Sequence, residues 1–367
     1  MGDETPAREN KKKIRGLNIP DELVLDILSR LPVKSLLRFK SICKSWLSMI
    51  SHPQFIRTHL HRSTQSPHCP RLLLKTNRSP LSFVSIDFRT PNRESESLQC
   101  PWENSDSFIQ PLCSCDGLIL LSLHDGHFVG TKSGRSFVLW NPSDRSHKII
   151  SCPYELPFCA LYGLCYDSTA HDYKVFIVSQ ESETSVAIYS SRNNSWNLVM
   201  DNRYYLYASE HQAIVNGAVH WVMCSREFDS WVIVYFDLVE EKFKEVPPPS
   251  LWNEDDEMNL VVLRGFLCVY CDIGVRQIEV YAMKEYGKKE SWARLFVIPC
   301  AIERRVPCST YLKPLCLTKK GQVLVSVGKR RIGIYDPKDR TFLLYDSVRG
   351  RTAIPYVESL VSLNGGV

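Results

Sequence analysis

Apolar side chains recur with a helical period up to about residue 62 and in short strand-like runs after it, so two architectures meet in one chain. Pro20 suits the first position of a helix, where its missing N–H costs nothing. Asp21 and Glu22 follow in the first turn, where carboxylates favour the positive end of the helix dipole. Leu23, Val24, Ile27, Leu28 and Leu31 then form one continuous apolar stripe. Pro32 ends that helix and begins the next. A second stripe holds Leu36, Leu37 and Phe39, and a third holds Ile42, Cys43, Trp46, Leu47 and Ile50. Ser51-His52-Pro53 breaks the pattern before a short helix containing Phe55 and Ile56. Three or four such helices cannot bury this many large groups among themselves. Either they pack on the larger domain, or part of their surface docks another protein.

From about residue 70 a unit recurs in which a glycine leads an apolar strand: Gly117, Gly163, Gly217, Gly265 and Gly321. The mean separation is 51 residues, close to the ~50 residues of a kelch-type propeller blade. In each unit a second strand ends in an aromatic residue, and a turn rich in Asn, Asp, Pro or Ser leads to a third, the mark of a β-hairpin. Phe83 to Phe88 (FVSIDF) reads as the same hairpin strand in an earlier unit, bringing the count to about six. A blade buries its faces only against neighbours, so closure of the blades into a ring is expected. Tyr356 to Leu363 (YVESLVSL) is the candidate clasp for that ring. An open sandwich or a solenoid is the alternative.

The whole chain carries a net charge of +5, but the charge is uneven. Residues 1–62 hold twelve Lys/Arg and six Asp/Glu, whereas the rest holds 33 basic and 34 acidic residues. The large C-terminal part therefore lacks the basic footprint of a nucleic-acid binder. No apolar run approaches the ~18 residues of a membrane span. The N-terminus lacks the apolar stretch of a secretory signal, so cytoplasm or nucleus is the expected compartment. Fourteen scattered cysteines then read as small buried hydrophobes rather than disulfide partners.

The run from Ile19 to Phe55 resembles an F-box. It carries Ile19-Pro20, Leu31-Pro32, Ser35 to Phe39 (SLLRF) and Cys43 to Trp46 (CKSW), in order and in spacing; only Ile19 departs, where leucine is commoner. The resemblance implies binding to the Skp-type adaptor of a cullin-based (SCF) ubiquitin ligase. Its adaptor-facing residues would be Ile19, Pro20, Leu23, Ile27, Leu28, Leu31, Pro32, Leu36 and Leu37, with Cys43 and Trp46 structural. Farther along, Leu139 to Ser143 (LWNPS), Tyr162 to Val175 (YGLCYDSTAHDYKV), Asn216 to Val222 (NGAVHWV) and the closing VESLVSL resemble the plant F-box-associated, kelch-related domain of the S-locus F-box type. In that family the propeller-like domain receives the substrate.

The expected fold is therefore a small all-α F-box followed by an all-β propeller-like domain of about six blades. Residues 1–17 form a disordered basic tail, 18–60 the F-box, 61–70 a linker and 71–367 the substrate-binding domain. The expected partners are the Skp-type adaptor, a cullin through it, and a target protein, with no nucleic acid, membrane or cofactor. Alternatives of other classes are a non-ligase propeller scaffold and, more remotely, a galactose-oxidase-like oxidoreductase.

Other constellations support no chemistry of their own. Cys268 and Cys271 form a lone C-x-x-C, and on a strand they point to opposite faces, whereas zinc sites take four ligands. Cys113 and Cys115 share a strand face with no second pair in view. His59, His61 and His68 lie in a polar stretch that reads as solvated linker, and Glu254 to Glu257 reads as a solvated loop. No phosphate-binding glycine loop or nucleophile elbow is present. Lys11 to Lys13 with Arg15 suits a charged tail or a nuclear-localisation patch. Arg304, Arg305, Lys329, Arg330, Arg331, Arg349 and Arg351 could converge on one rim of the propeller and read an acidic or phosphorylated target.

Overall fold

The structure, a computed structural model, describes residues 20–65, 71–76, 82–88, 95–100, 108–124, 135–157, 160–206, 212–250, 258–273, 277–299, 312–318, 320–328, 331–349 and 352–363. The N-terminal part is four helices: α1 (Asp21–Leu28), α2 (Val33–Phe39), α3 (Lys44–Ser51) and α4 (Pro53–Gln65). Pro20 and Pro32 sit one residue before α1 and α2, extended at ψ 140° and 145°, and the Pro20 carbonyl accepts the amides of Leu23 and Val24. Helix α4 continues through Gln65, so the first residues of the expected linker are helical. Among the described residues no helix is long and apolar enough to cross a membrane.

The remainder is a six-bladed β-propeller of antiparallel sheets. Taken from the axis outwards, blade 2 comprises Phe108–Cys115, Leu118–His124, Ser136–Trp140 and His147–Ser151. Blade 3 comprises Ala160–Asp167, Asp172–Gln180, Thr184–Ser190 and Ser195–Met200. In blade 4, Gln212–Val215 and the two-residue strand Tyr204–Tyr205 both pair with Ala218–Ser225, followed by Ser230–Asp237 and Lys242–Val246. Blade 5 comprises Met258–Leu263, Phe266–Ile273, Gln277–Met283 and Trp292–Pro299, and blade 6 Leu312–Leu317, Val323–Val327, Arg331–Asp336 and Thr341–Arg349.

Blade 1 closes the ring. Its outer strands, Arg71–Lys75, Ser82–Ile86 and Ser95–Gln99, come from the N-terminal side, but its innermost strand is Ala353–Tyr356 from the far end of the chain. The clasp therefore ends at Tyr356, only the first residue of the segment expected to form it. Val357 onwards leaves the sheet and takes another course.

Two of the recurring sequence marks have different structural meanings. At Asp116-Gly117, Asn216-Gly217 and Arg264-Gly265 both residues have positive φ, and each pair joins the innermost strand of a blade to the second. These are two-residue hairpin turns whose twist suits the flanking strands. Gly163 lies instead in mid-strand, and the corresponding turn of blade 3 is the longer one between Asp167 and Asp172. A β-carbon at Gly163 would stand 2.8 Å from Trp221 and Val219 of blade 4. The Trp221 indole donates to the Tyr162 carbonyl at 2.9 Å. The two motifs YGLCYD and NGAVHWV thus form the two sides of one contact between blades.

The thiols of Cys113, Cys115, Cys165, Cys268 and Cys271 are buried between sheets. Burial pushes those of Cys113 and Cys268 up to about 12. His220 in blade 4 is fully buried and neutral: its Nδ1–H donates to the carbonyls of Ala213 and Ala218, and its Nε2 accepts the Tyr286 hydroxyl at 2.6 Å. Burial holds it down at about 4.

Replacing Gly163 with alanine forces the Trp221 contact open and should cost ~1–3 kcal/mol in denaturant unfolding, the usual penalty of overpacking. An unfolded histidine takes its proton near pH 6.5, whereas folded His220 resists until about pH 4. Below pH 6.5 the unfolded chain thus binds the extra proton, and stability falls by up to ~1.4 kcal/mol per pH unit from this residue alone. The slope of unfolding free energy against pH in that window should be shallower in His220→Gln than in the parent.

Candidate protein-docking site

The helices divide their apolar surface in two. One stripe, with Leu28, Val33, Leu36, Ile50, Phe55 and Ile56, is buried in a core shared with blades 2 and 3. The other stays in solvent: Leu23 and Ile27 of α1 are 56% and 54% exposed, Ile42 60% and Leu47 of α3 47%. Leu23 and Ile27 stand one turn apart on the same side of α1. Pro20 and Pro32 are exposed as well. Fully burying a side chain of this size is worth ~1.5–3 kcal/mol, so a partner that covers them gains several kcal/mol. Beside this surface a groove of about 520 Å³ runs between α1, α3 and α4, lined among others by Leu25, Ser48, Met49 and Phe55.

Polar contacts hold the helices in this arrangement. The Asp26 carboxylate of α1 accepts Arg30 at 2.9 Å and Arg62 of α4 at 2.8 Å, and these guanidinium groups keep it below the usual carboxylate range. His59 of α4, expected to be solvated, is buried, and its Nε2 lies 2.9 Å from the Leu31 carbonyl. It is buried because α4, which runs on into the expected linker, lays His59 against the α1–α2 elbow. His61 is exposed on the same helix, and His68 lies outside the described residues.

The residues expected to face a partner do not all do so. Leu23 and Ile27 are on the open side with Pro20 and Pro32, whereas Leu28 and Leu36 are 1% and 0% exposed and are core. Leu31 and Leu37 are half-buried against that core. Ile19 lies outside the described residues. A stripe read from sequence shows which residues share a helix side but not which side meets which neighbour. Ile42 and Leu47 belong to the third apolar stripe, whose Ile50 is buried, yet both are exposed. Helix α3 starts only at Lys44, and Leu47 lies ~100° round the helix from Trp46 and ~60° from Ile50. Trp46 packs edge-on to Phe39 at 5.2 Å, joining α3 to α2, while Cys43 is exposed just before α3.

The helices stand on the propeller face that carries the turns from first to second and from third to fourth strands. Arg57 of α4 donates to the Tyr166 hydroxyl at 3.1 Å, and Lys34 meets Glu96 at 2.5 Å. The antiparallel order puts the other connections on the far face: second to third strand within a blade, and blade to blade. Arg331 begins a strand at that far end and is the register partner of Arg349. Arg304, Arg305, Lys329, Arg330 and Arg351 lie outside the described residues, as do Lys11 to Lys13, Arg15 and Glu254 to Glu257. Among the described residues no group of three or more His, Cys, Asp or Glu side chains could hold a metal ion.

Comparison with known proteins divides the chain at the same place. Residues 17–58 match the F-box domain, and residues 72–363 match the F-box associated beta propeller domain. The F-box protein CPR1 of Arabidopsis thaliana is 29% identical over 94% of this chain and 88% of its own length. An F-box/kelch-repeat protein of Arabidopsis thaliana is 28% identical over 95% of this chain and 96% of its own length.

Proposed function

The chain belongs to the family in which an F-box precedes an F-box-associated β-propeller, and from that premise we propose that it is the substrate-recognition subunit of an SCF-type ubiquitin ligase. The F-box docks a Skp-type adaptor, and through it a cullin, while the propeller holds the protein to be ubiquitinated. The observation that carries this reading is the solvent-facing set Leu23, Ile27, Ile42 and Leu47 on a helical module whose other side is already buried. Four large apolar side chains on so small a module suit a surface made to be covered.

Such a subunit needs no catalytic group. The transfer chemistry belongs to the conjugating enzyme, and the receptor contributes proximity, converting a bimolecular encounter into a local one. The target is assigned to the far face of the propeller. That face lies away from the adaptor surface, and its connecting loops can vary in sequence without disturbing the blades. The working compartment of this reading is the cytoplasm or the nucleus.

The full-length chain should co-purify one-to-one with a plant Skp-type adaptor. Leu23→Asp with Ile27→Asp should weaken that binding by at least about 30-fold, as expected when anchors at an interface centre are lost. Leu343→Asp, at an exposed leucine of blade 6, which takes no part in the core shared with the helices, should bind as the parent does. An unmodified chain that fails to bind the adaptor would sink the receptor reading and leave a propeller scaffold.

A further inference from the structure

Beyond the closing strand, the chain makes a set of contacts that ring closure does not need. After Tyr356, whose hydroxyl meets Ser85 of blade 1 at 2.7 Å, Glu358 pairs with Arg71 at 3.3 Å. The Arg71 side chain is 10% exposed and also faces Asp87 at 3.6 Å. The segment then crosses blade 2. The Asn141 side-chain amide donates to the carbonyls of Ser359 and Val361 at 3.2 and 3.0 Å, and the Ser359 amide donates to the Ser143 hydroxyl at 3.1 Å. On blade 3 the Ser191 hydroxyl donates to the Leu363 carbonyl. Seven residues thus span three blades while remaining outside every sheet.

The segment lies on the helix-bearing face. Leu360, Val361 and Leu363 are 5%, 0% and 6% exposed, in the same core as Leu28, Leu36, Ile50 and Phe55 of the helices and Leu139 and Tyr189 of the blades. It is a layer between module and propeller. Gly117 makes room for it: a β-carbon there would lie 2.3 Å from the Ser359 hydroxyl and 2.7 Å from the Val357 carbonyl. Asn141 is fully buried, and its remaining polar atom accepts the Ser143 amide, so it serves its own turn and the crossing segment together. The sequence motifs LWNPS and VESLVSL are therefore the two halves of one contact.

We propose that Val357–Leu363 is a strap that locks the helical module onto blades 2 and 3, so that the adaptor-binding surface and the far face of the propeller keep one fixed orientation. The strap is anchored on blade 1 by the Glu358–Arg71 ion pair and on blades 2 and 3 by hydrogen bonds to its main chain, and it offers three apolar side chains to the helices. Its consequence for ubiquitin transfer rests on the receptor reading: a rigid bridge presents the bound target in one orientation. The lock itself is independent of that reading.

Hydrogen exchange on the full-length chain tests it with three variants. Gly117→Ala drives a methyl group into the strap, and Asn141→Asp keeps the acceptor for Ser143 while turning two donors into an oxygen facing two carbonyls. Gly265→Ala imposes the same left-handed strain, at φ +80° against +88°, with nothing within 4 Å of the new methyl. The first two should speed amide exchange across α1 to α4 and Leu360 to Leu363 by at least about tenfold and leave the strands of blade 5 at parental rates. Gly265→Ala should leave the helices unchanged. Helices that keep parental protection in Gly117→Ala and Asn141→Asp, or lose as much in Gly265→Ala, would overturn the strap. Adaptor binding by the parent chain, measured alongside, judges the receptor reading separately.

Discussion

The pairing of Ala353–Tyr356 with Arg71–Lys75 is the constraint on which the rest of the molecule depends. It is antiparallel, four residues long and joins the two ends of the propeller sequence. Without it blade 1 has no innermost strand, and the innermost strands of blades 2 and 6 each lose a neighbour. A propeller blade has little core of its own, since its large side chains are buried between sheets. The ring is therefore the stable unit, and it can form only after the latest-made strand has met the earliest. Such contacts are costly to form because most of the chain must be closed into a loop first.

The same economy explains the helices. Four short helices lack the volume for an independent core, and they borrow one from blades 2 and 3 and from the segment after the closing strand. Borrowing uses one side only. The leucines and isoleucines left outside are not a failure of packing, because a second partner can complete the burial that the propeller begins.

Contacts between blades are set by a few large residues meeting small ones. Trp221 lies over Gly163 and stacks edge-on to Phe176 and Phe243, forming the centre of the core between blades 3 and 4. Its indole N–H, which burial would otherwise leave costly, is used on the Tyr162 carbonyl. Buried His220 is satisfied in the same way and joins the blade 5 residue Tyr286 to blade 4. Buried His220, Cys113 and Cys268 are here parts of the packing, and burial favours their uncharged forms.

The sequence by itself determined the division into helices and repeated blades and the hairpin turns, because each rests on local physics. It pointed to about six blades, and the ring of six was decided by the tertiary structure. Period, proline position and paired turn residues such as Asn216-Gly217 act over a few residues and are legible one by one. It also showed that Leu23 and Ile27 belong to an apolar stripe. Which stripe residues would be buried was decided only by tertiary structure, because Leu28 and Leu36 point at blades that begin more than 70 residues away in the chain. The end of the clasp at Tyr356, the burial of His59 and the second meaning of Gly163 were decided in the same way. Each depends on what a residue meets across space: a strand 280 residues earlier, a helical elbow, or a tryptophan in the next blade. A local pattern specifies the face a side chain takes, and only the closed ring specifies what stands opposite.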